Sequence, residues 1–221
     1  ELNLLSFAAH HLRVHEGAVS PGVLLYTGLL SWFVLDYLFF ERVHLYTYDL
    51  FAERVGFKLG WGCLVFYPYF YVVGLWSVAD RPDPGMPGWW LGLSAVTFAA
   101  GWCLARGANM QKFFFKLDPT HRFLGLWTPR AVTDGRHHLL CSGFWGLSRH
   151  VNYLGEILMA TGLALALGYP AHLGPWLYPL YYVLLLVPRE RADHRRCAAK
   201  YGALWDEYCR RVPRRIVPGL Y

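Results

Sequence analysis

GFWGLSRHVNYLGE at residues 143–156, two apolar segments after it, and PRERADHRRCAAKYGALWDEY at 188–208 together decide how the rest of this chain is read. Arg149, His150, Asn152, Tyr153 and Glu156 stand where an apolar run begins and, on a helix, project on neighbouring faces over two turns. So many hydrogen-bonding groups at a membrane edge are costly unless they line a wet cavity, so a polar pocket is expected at that boundary. In the second stretch Arg189, Asp193, Arg196 and Lys200 recur at spacings of four, three and four, placing three cations and one carboxylate on one helical stripe. Such a stripe suits phosphates, and it equally suits a solvated helix attracted to anionic lipid. Cys197, Tyr201, Leu204 and Tyr208 fall on an adjoining stripe that can pack under a membrane domain or stack on a planar ligand.

The composition agrees with a membrane setting. Of 221 residues 55% are hydrophobic, 18% aromatic and only 16% charged, too little charge for an ordinary soluble domain. The net charge of +6 is clustered, which favours an anionic cofactor or leaflet, and no nucleic-acid motif is present. Cys63, Cys103, Cys141, Cys197 and Cys209 lack paired close spacing and are expected as buried free thiols, with neither a disulfide frame nor a metal site. Neither a Rossmann glycine fingerprint nor a P-loop occurs, so a nucleotide would have to be held by side chains of the membrane fold. The chain begins at Glu1 without a methionine or a signal peptide and is expected to be trimmed or partial.

Residues 1–19 read as an interfacial segment or loop whose histidines, His10, His11 and His15, are solvated. A first span is expected over 20–40, opened by Ser20 and Pro21, with Asp36 and Glu41 as acids at its far end. A second is expected over 57–79 around Pro68, and a third from Trp89 to Leu104. Residues 105–152 carry seven Lys or Arg against two Asp, and the tail from 188 carries nine against four acids. Both regions are therefore placed on the cytoplasmic side, joined by a hairpin of segments 153–169 and 172–187 that turns at Pro170. The fold class that follows is all-α: a polytopic membrane protein of about five transmembrane helices plus a C-terminal cytoplasmic amphipathic helix. It is expected to form one membrane domain, with 1–104 as the lipid-substrate part and 105–221 as the nucleotide part.

RGANMQK at 106–112, SGFWGLSRHVNYLGE at 142–156, RADHRRCAAKYGALWDEYC at 191–209 and VPRRIVPGLY at 212–221 resemble, in order, motifs of the sterol reductase family. That family includes the delta-14, delta-7 and C-24(28) sterol reductases and the reductase domain of lamin B receptor. Asp36, Glu41, Thr47, Asp49, Gly56, Phe57, Gly62 and Pro68 resemble the family's segment around its substrate cavity. The resemblance implies the C-terminal half of a ten-span, NADPH-dependent enzyme whose cofactor pocket opens to the cytoplasm, in the endoplasmic reticulum of a eukaryote or the inner membrane of a bacterium. It implies cofactor binding by Lys112, Lys116, Trp145, Asn152, Tyr153, Glu156, Arg189, Asp193, Cys197, Lys200, Tyr201 and Tyr208. Lys116 stands where the family usually has arginine, Glu156 where it has aspartate, His194 where an acid is common and Cys63 where it has aspartate. Phe40 stands where some relatives carry a tyrosine suggested to act in catalysis.

Reducing an unactivated double bond needs a proton for one carbon and a hydride for the other. With no hydroxyl on Phe40, Glu41 is the expected proton donor or relay end, with Asp49, Tyr46 or Tyr48 as alternatives. The expected partners are a sterol-like lipid, membrane lipid and a second copy of the chain. The tail also resembles that of the isoprenylcysteine and phospholipid methyltransferases, which bind S-adenosylmethionine; Glu156 fits that group, while Val151 replaces its usual proline. A sterol-binding protein without turnover is the third reading.

Overall fold

A computed structural model describes residues 1–45 and 60–221. These are mostly helical with one short β-hairpin. The helices are α1 (Leu2–Val14), α2 (Pro21–Phe39), α3 (Glu41–His44), α4 (Tyr67–Phe70), α5 (Val73–Trp76), α6 (Gly88–Leu117), α7 (Phe144–Leu147), α8 (Val151–Ala166), α9 (Leu173–Tyr201) and α10 (Ala203–Arg211). A π-helical turn, Gly62–Phe66, precedes α4, and strands β1 (Ala131–Thr133) and β2 (His138–Leu140) pair antiparallel. Contacts divide the chain into two compact units, Glu1–Ala100 with Leu158–Tyr182, and Gly101–Ile157 with Val183–Tyr221.

In the first unit, α2 begins at the expected Ser20 and Pro21. It buries Tyr26, Leu30 and Phe33, at i, i+4 and i+7, and exposes Leu24, Leu35 and Leu38. An apolar exposed face is what lipid requires and water would penalise. Residues 2–14, expected as an interfacial segment or loop, form a helix instead. Leu4 and His11, seven apart, are buried on one face of it, and the helix stops where Glu16 and Gly17 turn to positive φ. The histidines are correspondingly not all solvated. His11 Nδ1 lies 2.9 Å from the Ala79 carbonyl oxygen, and His10 Nε2 lies 2.6 Å from Asp80 Oδ1. Their partners are 68 and 70 residues away, out of reach of local pattern reading.

The expected second span is helical from residue 60 but broken into the π turn, α4 and α5. Pro68 has no N–H to donate to the preceding turn, and the widened π turn just before it absorbs the mismatch. The Tyr26 hydroxyl donates to the Tyr71 carbonyl at 2.8 Å, and Asn3 donates to Pro68 O at 3.1 Å.

The third expected span runs 13 residues past Leu104, to Leu117, as a single helix of 30 residues. Its inward stripe simply continues: Ala105, Ala108, Gln111 and Phe115 are all buried. Glycines let α8 close on it. Within the first unit a Cβ on Gly162 would stand 2.7 Å from Phe98 N, and within the second a Cβ on Gly155 would stand 2.5 Å from Ala105 N. Small residues seven apart are the packing device of helices in lipid. Of the five expected spans, α2 and α6 form helices long and apolar enough to cross a membrane by themselves. Helix α8 is apolar but shorter, and the apolar start of α9 shares one 29-residue helix with the charged tail.

The five cysteines are free, as expected, but Cys63 and Cys103 are exposed and Cys141, Cys197 and Cys209 half-buried.

Candidate functional site

All twelve residues expected at the cofactor pocket fall in the second unit. Its frame starts with α6, which carries Lys112 and Lys116 one turn apart. Beside it, Gln111 is buried and grips the start of the 143–156 signature, donating to Ser142 O at 3.2 Å and accepting from Phe144 N–H at 3.0 Å. Gly143 has φ 62°, and a Cβ there would lie 2.2 Å from Gln111 Nε2, so only glycine fits. The clamp aims Trp145 at α6. Its indole N–H donates to Ala108 O at 2.7 Å, and the Lys112 ammonium lies 5.0 Å from its ring centroid.

Past the clamp, His150 is buried and stacks on Tyr153 with centroids 4.7 Å apart and planes at 21°. Burial first, then the nearby cations Lys112 and Arg149, lower its pKa to about 3, so the imidazole is neutral at ordinary pH. Its Nε2 lies 3.8 Å from Asp193 Oδ2 on α9. Burial raises the pKa of Asp193 against the opposing pull of Lys112. Burial and the Asp193 charge push the Cys197 thiol up to about 12, so this sulfur is a weak donor, 3.8 Å from Asp193 Oδ2, and no nucleophile. Asn152 donates to Asn109 Oδ1 at 3.4 Å, while its own Oδ1 is buried and finds no partner among the described residues. That oxygen is left to accept a hydrogen bond from solvent or from a bound group.

The charged stripe on α9 runs as expected from half-buried Arg189 through Asp193 and Arg196 to exposed Lys200. The adjoining stripe is interrupted. Gly202, at φ 52°, ends α9 after Tyr201 and starts α10, so Leu204 and Tyr208 lie on a separate helix. There Leu204, Trp205, Tyr208 and Val212 form a core with Val132 of the hairpin. Burial raises the Tyr208 pKa, which keeps its hydroxyl protonated. The hairpin, which lies in a stretch expected only as polar loop, sets His137 edge-on to Tyr201 at 5.2 Å. Its turn is held by Asp134, whose Oδ1 accepts the N–H groups of Arg136 and His137 at 2.9 and 2.6 Å. Those bonds, the His137 backbone first, hold the Asp134 pKa well below the usual carboxylate range. Lys200 lies 4.7 Å from the Tyr201 ring centroid.

Lys112, Asp193, Cys197, His150 and Tyr153 are thus brought together, with Trp145 reached through Lys112. Glu156 is half-buried one turn along α8 from Asn152, and Arg189 one turn along α9 from Asp193. In the first unit, Glu41 is exposed at the start of α3 while Asp36 is buried; Tyr46, Tyr48 and Asp49 lie outside the described residues. An open cavity of about 420 Å³ beside Arg81, Tyr169 and His172 holds none of the expected site residues. Gln111, His150, Glu190 and Arg215 were not among the expected cofactor contacts. Gln111, His150 and Arg215 lie inside the motifs quoted above and Glu190 inside the charged stretch from 188, but nothing in those strings singles them out as such contacts.

Cations, aromatic faces and a buried acceptor are thus grouped in the second unit of a mostly helical chain, and its two helices of membrane length and apolarity are consistent with a membrane protein. Residues 2–221 match the family described as Ergosterol biosynthesis ERG4/ERG24, and the chain belongs to that family. It is 38% identical over 209 residues to a Delta(14)-sterol reductase of Arabidopsis thaliana, covering 94% of this chain and 55% of the relative. It is 35% identical to the Delta(14)-sterol reductase of Methylotuvimicrobium alcaliphilum, covering 98% and 50%. To Delta(14)-sterol reductase TM7SF2 of Mus musculus it is 39% identical, covering 93% and 49%. The chain therefore spans about half the length of these relatives.

Proposed function

We propose that this chain carries the NADPH-binding part of an enzyme that reduces a carbon–carbon double bond in a sterol or related polycyclic lipid. The observation that carries the reading is the grouping of Lys112, Trp145, Asn152, Tyr153, Asp193 and Cys197 in one compact unit of a chain belonging to a sterol-reductase family. NADPH, when bound, supplies the hydride. Lys112, Lys116, Arg189 and Lys200 neutralise its phosphates, Tyr153 and Tyr201 offer ring faces, and Asn152 Oδ1 accepts an N–H or O–H from it. The neutral His150 and protonated Cys197 add no competing charge or nucleophile beside those groups.

The proton comes from an acidic side chain: Glu41 is proposed as donor or relay end, with Asp49, Tyr46 or Tyr48 as alternatives. Relatives named Delta(14)-sterol reductase make a sterol with a delta-14 double bond the first substrate to test.

The test is equilibrium binding of NADPH and of S-adenosylmethionine to the detergent-purified chain, beside the Lys200→Ala/Tyr201→Ala variant. NADPH binding that this variant loses supports the reading. Binding of S-adenosylmethionine alone turns it to methyl transfer, and binding of neither removes it. With a delta-14 sterol and NADPH, full turnover by Glu41→Gln would remove Glu41 as donor.

A further inference from the structure

Glu190 is an acid with 0% exposed surface, and no role in cofactor binding has been assigned to it. On α9 it falls between Arg189 and Asp193. Arg215 Nη1 donates to both of its carboxylate oxygens, at 3.5 and 3.2 Å, and the Tyr221 hydroxyl donates to one of them at 3.5 Å. Around this acid the segment 213–221 folds on itself. The N–H groups of Arg215, Ile216 and Val217 converge on Tyr221 O at 2.8, 2.8 and 2.9 Å, and the Arg215 guanidinium lies 5.8 Å from the Tyr221 ring centroid.

The same segment grips the polar signature. Arg149 N–H donates to Arg214 O at 3.0 Å, His150 N–H to Arg215 O at 2.8 Å, and the Ser148 hydroxyl to Ile216 O at 2.8 Å. Ser148, Arg149 and His150 are all buried, and the next residue opens α8. Arg149 is held further by Cys209 Sγ at 2.6 Å and Pro213 O at 3.3 Å.

We propose that Glu190 is a positioning residue of the cofactor site. Through Arg215 it holds residues 213–217 as a clasp over 148–150, and the clasp fixes His150 and the first turn of α8 with Asn152 and Tyr153. One helix then carries both Asp193 and the acid that sets what Asp193 faces. A buried carboxylate is tolerated only when paired, and loss of either partner leaves the other uncompensated, so the clasp opens when one is removed. The part concerning the cofactor rests on the NADPH reading; the clasp does not.

The experiment uses the full chain in detergent with Glu190→Gln, Arg215→Met, the double variant and Arg215→Lys. Amide hydrogen exchange at Arg149 and His150 reports the clasp, and NADPH titration reports the site. Both single variants should speed exchange at those two amides about tenfold or more and raise the NADPH Kd about tenfold, as loss of a charge-assisted hydrogen bond implies. Amides of Pro21–Phe39 should not change, the double variant should be no worse than the worse single one, and Arg215→Lys should recover part of the affinity. Unchanged exchange at Arg149 and His150 in Glu190→Gln overturns the proposal. So does faster exchange with unchanged NADPH affinity, or loss of protection throughout the chain, which marks a merely structural acid. If the parent chain binds no NADPH, the functional reading fails, while the two amides still decide the clasp.

Discussion

The Lys112 ammonium and the Trp145 ring meet 5.0 Å apart, and the Trp145 indole N–H is tied to Ala108 O, one turn back along the helix that carries Lys112. One aromatic side chain therefore fixes the position of one buried-side cation. Trp145→Phe keeps a ring but loses the hydrogen bond and weakens the cation–π contact. It should raise the NADPH Kd about thirtyfold, since the two effects are worth about 1 kcal/mol each. A fluorescence or calorimetric titration showing parental affinity would remove Trp145 from the site.

Asn152 predicts opposite effects on stability and binding. Asn152→Leu deletes a buried acceptor that has no partner among the described residues, so thermal stability should hold or rise while NADPH affinity falls about tenfold. A melting curve and a titration on the same preparation decide it; equal losses in both would mean that Asn152 is structural only.

Gly143→Ala tests the clamp on the signature. The new Cβ meets Gln111 Nε2 at 2.2 Å in a backbone region disfavoured for alanine, so unfolding free energy should fall by about 2 kcal/mol or more. Adding Gln111→Ala should relieve the clash but not the backbone strain, leaving a smaller deficit in chemical denaturation.

His150 gives the pH dependence. Its folded pKa of about 3 lies below the ordinary value of 6.5, so between these limits the unfolded chain binds the extra proton. Its contribution is therefore full above pH 6.5 and is lost as pH falls towards 3, by up to about 1.4 kcal/mol per unit. His150→Gln should flatten that part of the curve of melting temperature against pH. An unchanged slope would show that the imidazole is not what titrates.

Some of this protein was settled by its residues alone. Pro21 at a helix start, the turn at Pro170 and the spacing of Arg189, Asp193, Arg196 and Lys200 are local signals, and the helices follow them because turn chemistry and 3.6-residue periodicity act within a few residues. The family motifs lie in order along the chain and carried the family assignment for the same reason. Other features depend on partners far away in the sequence. Residues 2–14 become a helix with a buried His11 because Ala79 offers a carbonyl, and α6 outruns its apolar segment because Gln111 and Ala108 meet the loop at 142–145. The hairpin at 131–140 is two strands of three residues, too short for a periodic signal, and is stabilised by the core it forms with α10. Charge spacing marked Arg189 and Asp193 as a pair but was silent about Glu190 between them. Only the return of Arg215 from 25 residues downstream makes that acid a buried anchor, because a carboxylate leaves water only where the fold supplies its cation.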